Sequence, residues 1–225
     1  MSDSVTVVIN AAGLGTRLGL NRPKSTVEVH GKPLLGWQLD LLDGVEVVVV
    51  AGYHADTIVE YLRQRRPDVP IVLNHDFRST GTAASLALGA RIGGDWIVSL
   101  DGDLLVAPCS LHEFIEDGDA LIGLTPTNSE TPVGAIVDDR TREVAEMGFA
   151  IDGGLEWSGL VRLRREKVLE FGTGHVFESL RTHLPIASTM VDCVEIDEPD
   201  DLGRASRWLS DHTEHGEWKW TGDRG

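Results

Sequence analysis

Hydrophobic positions in this chain fall into short β-branched runs separated by stretches of helical period, and that alternation sets the first expectation of fold. Val5, Val7, Val8 and Ile9 form an apolar run that reads as a buried strand and breaks into Ala11-Ala12-Gly13. The spacing then predicts a helix over 34–42, a strand over 45–50, a helix over 56–65 and a strand over 71–73. A helix over 82–90 and a strand over 96–100 continue the series. Strands separated by single helices imply a largely parallel sheet covered on both faces. The expected architecture is α/β: a Rossmann-like three-layer α/β/α fold with a mostly parallel central sheet.

Beyond Pro108 the pattern becomes β-rich, with runs at 120–125, 133–138 and 155–163 broken by glycine turns. Helical segments at 165–171 and 175–183 precede a strand at 190–196, and 199–209 reads as a closing helix with an acidic first turn. This half is expected to form a smaller β-rich acceptor-binding region, drawn mainly from 108–195. Residues 1–211 are read as one domain. The stretch 212–225 has no period and reads as a flexible tail, in which Trp218 and Trp220 are either loosely packed or a docking site.

Composition narrows the function classes. With 225 residues and 41% hydrophobic content the chain can bury a sizeable core. It has no run of about 18 apolar residues and no leader-like start, so a soluble cytoplasmic protein is expected. Cys109 and Cys193 are too few for a disulfide framework or a four-ligand zinc site. A formal charge of −16 argues against generic nucleic-acid or anionic-membrane binding and leaves small molecules as partners. Against that acidity the grouped cations Arg17, Arg22 and Lys24 stand out.

Those cations lie in or beside a glycine loop directly after the first strand. Small residues at Ala11, Ala12, Gly13 and Gly15 let a ligand approach main-chain N–H groups, and basic side chains nearby suit a phosphate. Leu18 stands where a dinucleotide fingerprint begun at Gly13 needs glycine or alanine, and Gly19 is followed by Leu20-Asn21 rather than the Lys-Ser of a Walker loop. Ligands in parallel sheets collect at the carboxyl ends of strands. The loops there carry Gly52, Asn74 and Asp101 as further nucleotide-binding candidates. Asp101-Gly102-Asp103 can serve as oxygen ligands for magnesium or as a turn capped by aspartates. Glu195-Ile196-Asp197 places two carboxylates on one strand face and reads equally as helix-start acidity.

In order, AAGLGTRL with PKSTVEVHGKPLL, VVVAGY, NHDFRSTGTAASL, VSLDGDLL and VEIDEPDDL resemble the nucleotidylyltransferase family of GT-A-like fold. The pattern is similar to the branch holding the bacterial phosphocholine, phosphonate and inositol-phosphate cytidylyltransferases, and covers 5–203. The resemblance implies that Ala12, Gly13, Leu14, Gly15 and Thr16 hold the nucleotide through their backbone. It implies that Arg17 and Lys24 act as catalytic cations on the triphosphate, that Asp103 and Asp197 hold Mg2+, and that Thr82 and Ser85 border base and ribose.

The implied reaction is magnesium-dependent transfer of CMP from CTP to a small phosphate or phosphonate, with release of pyrophosphate. Alternatives are a sugar-1-phosphate nucleotidylyltransferase using UTP, GTP or dTTP, and a non-catalytic nucleotide-binding regulatory subunit. Acceptor candidates are Trp157, Arg162, Arg164, His175 and Glu195. Phe149, Phe171 and Phe177 could join Trp157 in an aromatic cage around a cationic head, and Asp152, Glu156 and Asp192 could accept bonds from acceptor hydroxyls. A homodimer is among the expected states.

Overall fold

A nine-stranded mixed sheet with helices on both faces carries the fold in the computed structural model, which describes residues 3–15, 18, 19, 21–116, 118–213 and 218. In chain order the first half holds β1 (Val5–Ala11), a 3-10 turn (Lys24–Thr26), β2 (Glu28–Val29), β3 (Lys32–Pro33), α1 (Leu34–Leu41), β4 (Glu46–Ala51) and α2 (Ala55–Arg65). It continues with β5 (Ile71–Leu73), α3 (Thr82–Ala90), β6 (Trp96–Asp101), β7 (Leu104–Val106) and α4 (Pro108–Glu116). The second half holds β8 (Leu121–Pro126), β9 (Gly134–Val137), β10 (Glu143–Gly148), β11 (Leu155–Arg164), α5 (Arg165–Val168), α6 (Val176–Leu180), β12 (Ile186–Met190), β13 (Cys193–Glu195) and α7 (Asp201–Thr213).

The sheet runs β5-β4-β1-β6-β11-β8-β12-β10-β9. Its first four strands are mutually parallel, as the strand–helix alternation predicts. β11 then runs antiparallel to both β6 and β8, and β10 antiparallel to β12 and β9, so the sheet as a whole is mixed. Alternation along β1 explains the layers. Val7 and Ile9 face one side and pack with Leu35 and Leu39 of α1, Ile58 and Leu62 of α2, and Leu111 and Phe114 of α4. Val8 faces the other and packs with Ala83, Leu86 and Ala90 of α3 and Val176 and Leu180 of α6. Burying one such aliphatic side chain contributes about 1.5–3 kcal/mol, enough for a spaced pair such as Ile58 and Leu62 to hold α2, whose other face is charged.

The strand expected at 190–196 is the short β13, and β12 lies before it, sharing only Met190 with that range. β12 closes against β8 in the main sheet, the chain turns at Asp192, and β13 leaves to form a separate two-stranded ribbon with β7. That ribbon, α4 and β10 have no counterpart in the sequence expectations. Trp218, in the stretch read as an aperiodic tail, is buried, and its indole N–H donates to the Trp37 carbonyl at 3.0 Å. Helix α7 itself runs to Thr213, and Trp220 lies outside the described residues. Among the described residues no helix is long and apolar enough to cross a membrane.

From β1 the chain moves outward through β4 to β5, then returns to the opposite side of β1 at β6. This is a topological switch point, and the crevice it opens lies beyond the carboxyl ends of β1 and β6. Those ends are Asn10-Ala11 and Asp101.

Candidate active site

The glycine loop leaves β1 at the mouth of that crevice. Ala11 and Ala12 are buried, Ala12 with its carbonyl accepting from Tyr53 N at 3.1 Å, while Gly13 is exposed and a side chain there would meet nothing within 4 Å. Backbone at Gly13 is therefore approachable. Gly15 has φ +61°, and a β-carbon there would lie 3.1 Å from both the Arg22 carbonyl and the Lys24 side chain, so a substituent would strain the turn that delivers Lys24. Leu14 is half-buried. Thr16 and Arg17 lie outside the described residues. Gly52 follows β4 and permits close packing of Phe77 against Ala12.

Opposite the loop, carboxylate oxygens of Asp103, Glu195 and Asp197 lie within 4.8 Å of one another. The ribbon brings them together: Asp103 immediately precedes β7, Glu195 ends β13 opposite Leu104, and Ile196 N donates to the Asp103 carbonyl at 3.0 Å. Asp201 at the start of α7 accepts from the backbone of Asp197 and Glu198 at 2.8 and 2.9 Å and fixes the third carboxylate. Glu195, expected among acceptor contacts, stands in this cluster, because the ribbon turns its side chain toward Asp103.

The Lys24 ammonium sits between the acids, donating to Asp103 at 2.7 Å and to Asp197. Burial alone would lower its pKa, but the charges and hydrogen bonds of Asp103 and Asp197 outweigh it and raise it to about 12. One lysine does not neutralise the group. Desolvation, then the charge of Asp103, pushes the inward-facing Asp101 carboxyl up to about 7. Desolvation, then Asp103, Asp197 and Asp101, likewise raises Glu195, whose outer side reaches solvent. An all-oxygen donor set with excess negative charge fits a hard divalent cation such as magnesium.

Two residues absent from the sequence expectations hold the acid turn. Asn10, buried at the end of β1, donates to Asp101 Oδ1 at 3.2 Å and to Ser99 Oγ at 3.0 Å, and its carbonyl accepts from Gly102 N at 3.0 Å. A side chain at 102 would meet that carbonyl and Ser25, which explains the glycine. Gln38 of α1 is 2% exposed and donates to the carbonyls of Asp101 and Leu104 at 2.8 and 2.7 Å. The available signal was a lone amide inside an apolar run, as in VVINAA and LLGWQLDL.

Beyond the carboxyl end of β5, Asn74 and Ser85 are buried and bonded to each other at 3.0 Å. Asn74 also donates to Thr80 and accepts from Asp76 N, so both shape the 74–80 loop from inside. The Thr82 hydroxyl accepts from Val176 N at 3.2 Å, and the Thr173 and Gly174 carbonyls take the N–H groups of Gly81 and Ala83.

The acceptor-side arginines are placed elsewhere. Arg162 is 3% exposed, donates to the carbonyls of Phe114 and Ile115 at the end of α4, and lies 4.7 Å from the Trp96 ring centre. Arg164 covers the same ring at 4.2 Å and bonds Asp3 at 2.6 Å. β11 is antiparallel to β6 and pairs Arg164 with Trp96, so both arginines stand toward the amino end of β6, away from the crevice. Arg162→Ala is expected to cost about 2–4 kcal/mol of stability by stranding the α4 carbonyls. The acceptor KM should stay within about twofold if packing is the residue's role.

Trp157 does lie on the crevice side, beyond the stretch of β11 paired with β6, with its indole N–H on the Leu160 carbonyl at 3.1 Å. His175 caps α6 and stacks on Phe177, against whose edge Phe149 packs at 4.9 Å, while Phe171 stacks on His183. These rings divide among separate contacts rather than forming one cage. Glu156 accepts from the backbone of Asn128 and Ser129, and Asp192 accepts from Trp208 and His212, so both are already committed.

The bifunctional protein GlmU of Thermoanaerobacter pseudethanolicus is 30% identical over 145 residues, covering 63% of this chain and 30% of GlmU. The chain thus spans about a third of the length of the GlmU relatives it matches. The 2-C-methyl-D-erythritol 4-phosphate cytidylyltransferase of Shewanella amazonensis is 26% identical over 240 residues, covering 95% of this chain and 97% of its own. Among solved structures, the inositol-1-phosphate CTP transferase from T. maritima superimposes with a TM-score of 0.78 at 19% identity, over 95% of this chain and 98% of that one. The sequence model of the MobA-like NTP transferase domain matches residues 7–156, and the chain belongs to that family.

Proposed function

We propose that the protein is a magnesium-dependent nucleotidyltransferase that moves CMP from CTP to a small alcohol phosphate or phosphonate. The observation that carries this reading is the convergence of Asp103, Glu195, Asp197 and Lys24 on a crevice whose other wall is the open backbone at Gly13. Cytidine is favoured over other bases by the near end-to-end correspondence with a cytidylyltransferase sequence and with a CTP transferase structure.

An acceptor phosphate oxygen attacks the α-phosphorus in line. A new P–O bond forms, the bond from the α-phosphorus to the bridging oxygen breaks, and pyrophosphate leaves with that electron pair. The acceptor oxygen is largely ionised at neutral pH because a second phosphate pKa is about 6, so no protein nucleophile or strong base is required. Asp103 and Asp197, with Glu195 beside them, would hold the magnesium ion, which supplies Lewis-acid polarisation and charge neutralisation. Lys24 and Arg17 offset charge on the triphosphate, and the main chain from Ala12 to Gly15 orients it. Residues 108–195, with Trp157 on the crevice side, would supply most of the acceptor pocket.

The test is pyrophosphate release with Mg2+ over a grid of five nucleoside triphosphates against alcohol phosphates, phosphonates and sugar 1-phosphates. Release with CTP and an alcohol phosphate or phosphonate is the expected result. Release only with a sugar 1-phosphate and UTP, GTP or dTTP would reassign base and acceptor. Nucleotide binding without release from any pair would point to a regulatory subunit.

A further inference from the structure

Two of the three clustered carboxylates hang on the ribbon of β7 and β13, which stands outside the main sheet. A two-stranded ribbon is marginal without a packed face. The face of this one is carried by Leu105, Val194 and Ile196, buried in a cluster with Leu34, Leu209 and Trp218. Trp218 also packs, with Gln38, Leu104 and Val106, beneath the acid turn.

Its indole is fixed on three sides. The N–H donates to the carbonyl of Trp37, the residue before Gln38, and the ring meets Trp37 and Trp208 edge-on at 5.6 and 5.7 Å. Gln38 in turn holds the Asp101 and Leu104 carbonyls on either side of Asp103. A large apolar body with one anchored polar edge is suited to bracing both the helix and the ribbon at once.

We infer that Trp218 is a positioning residue for the cation site: it braces the α1 turn bearing Gln38 and the ribbon bearing Asp103 and Glu195. The inference rests on the proposed role of the acidic cluster, but its structural half can be tested without metal or substrate. In the metal-free protein, Trp218→Ala should raise amide hydrogen exchange at 102–106 at least about tenfold over wild type, against little change in α2. Mn2+ binding, followed by water-proton relaxation, should weaken about tenfold, while kcat at saturating metal stays within about threefold. Trp218→Phe, which keeps most of the apolar body, should restore most of both.

Leu209→Ala serves as the comparison, being buried in the same cluster but not packed around Gln38 and Leu104 under the turn. It should lower thermal stability without selective exchange at 102–106. If both Trp218 variants change exchange uniformly over the molecule, or leave 102–106 as protected as in wild type, the inference is overturned. Absence of turnover with every nucleotide and acceptor would reject the enzymatic reading and still leave the exchange result to decide this one.

Discussion

Asp103→Asn is expected to lower kcat by about 10³-fold with CTP and a turned-over acceptor, and to raise the Mg2+ concentration needed for half-maximal rate. The substitution keeps size but removes one anionic oxygen donor from a set of three. Asp197→Asn should behave alike, and the double variant should be little worse than either single one, because residues acting on one cation are not additive. Stability should move little. After desolvation, the charge of Asp103 is the main cause raising both Asp101 and Glu195, so its neutralisation relieves repulsion in the cluster, while it also takes one partner from Lys24. We expect the two effects to offset and Asp103→Asn to keep a nearly unchanged Tm without metal, since sites built for catalysis gather charges that the fold alone would avoid. A kcat within tenfold of wild type would remove Asp103 from the metal site, and a large loss of Tm would recast it as a structural aspartate.

The parts of this site legible in the sequence are those that depend on local order. The strand ending in Ala11-Ala12-Gly13 and the strand ending in Asp101 announce themselves by short apolar runs followed by small or acidic residues, and both lie at the crevice. Pairing partners are less legible. Nothing local shows that the chain turns at Asp192, after β12, so that β13 leaves the sheet for β7, yet that departure brings Glu195 beside Asp103. The place of the β11 arginines is hidden for a related reason. Parity gives a shared strand face but not strand direction, and antiparallel pairing with β6 carries Arg164 to the amino end of that strand, over Trp96. Asn10 and Gln38 carry little local signal because their amides act on groups distant in sequence, the side chains of Ser99 and Asp101 for Asn10 and main-chain carbonyls for Gln38. Trp218 sits in a stretch without period, where only a three-dimensional contact reveals packing.

Lys24→Met should separate the stability of the empty site from its chemistry. In the ligand-free protein Lys24 pairs with both Asp103 and Asp197, and its pKa rises from 10.5 to about 12, which corresponds to about 2 kcal/mol of linkage. The folded-state value lies above the unfolded one. The contribution is therefore complete below about pH 10.5 and is lost as pH rises through about 12. Lys24→Met should accordingly lower the metal-free Tm at pH 8 by about 5 °C, with a smaller deficit above pH 11. Removing the ammonium also removes a charge that competes with a dication for the same oxygens. Mn2+ alone should thus bind Lys24→Met more tightly than wild type, the reverse of its effect at Asp103→Asn, and should recover most of the lost Tm by mass action. Turnover should still fall by about 10²-fold, because a triphosphate entering the crevice meets one cation fewer. Tighter metal binding with slower chemistry would mean that Lys24 leaves the carboxylates for the phosphates when substrate binds. Weaker metal binding in Lys24→Met would mean instead that the lysine holds the acids in place for the cation and never exchanges with it.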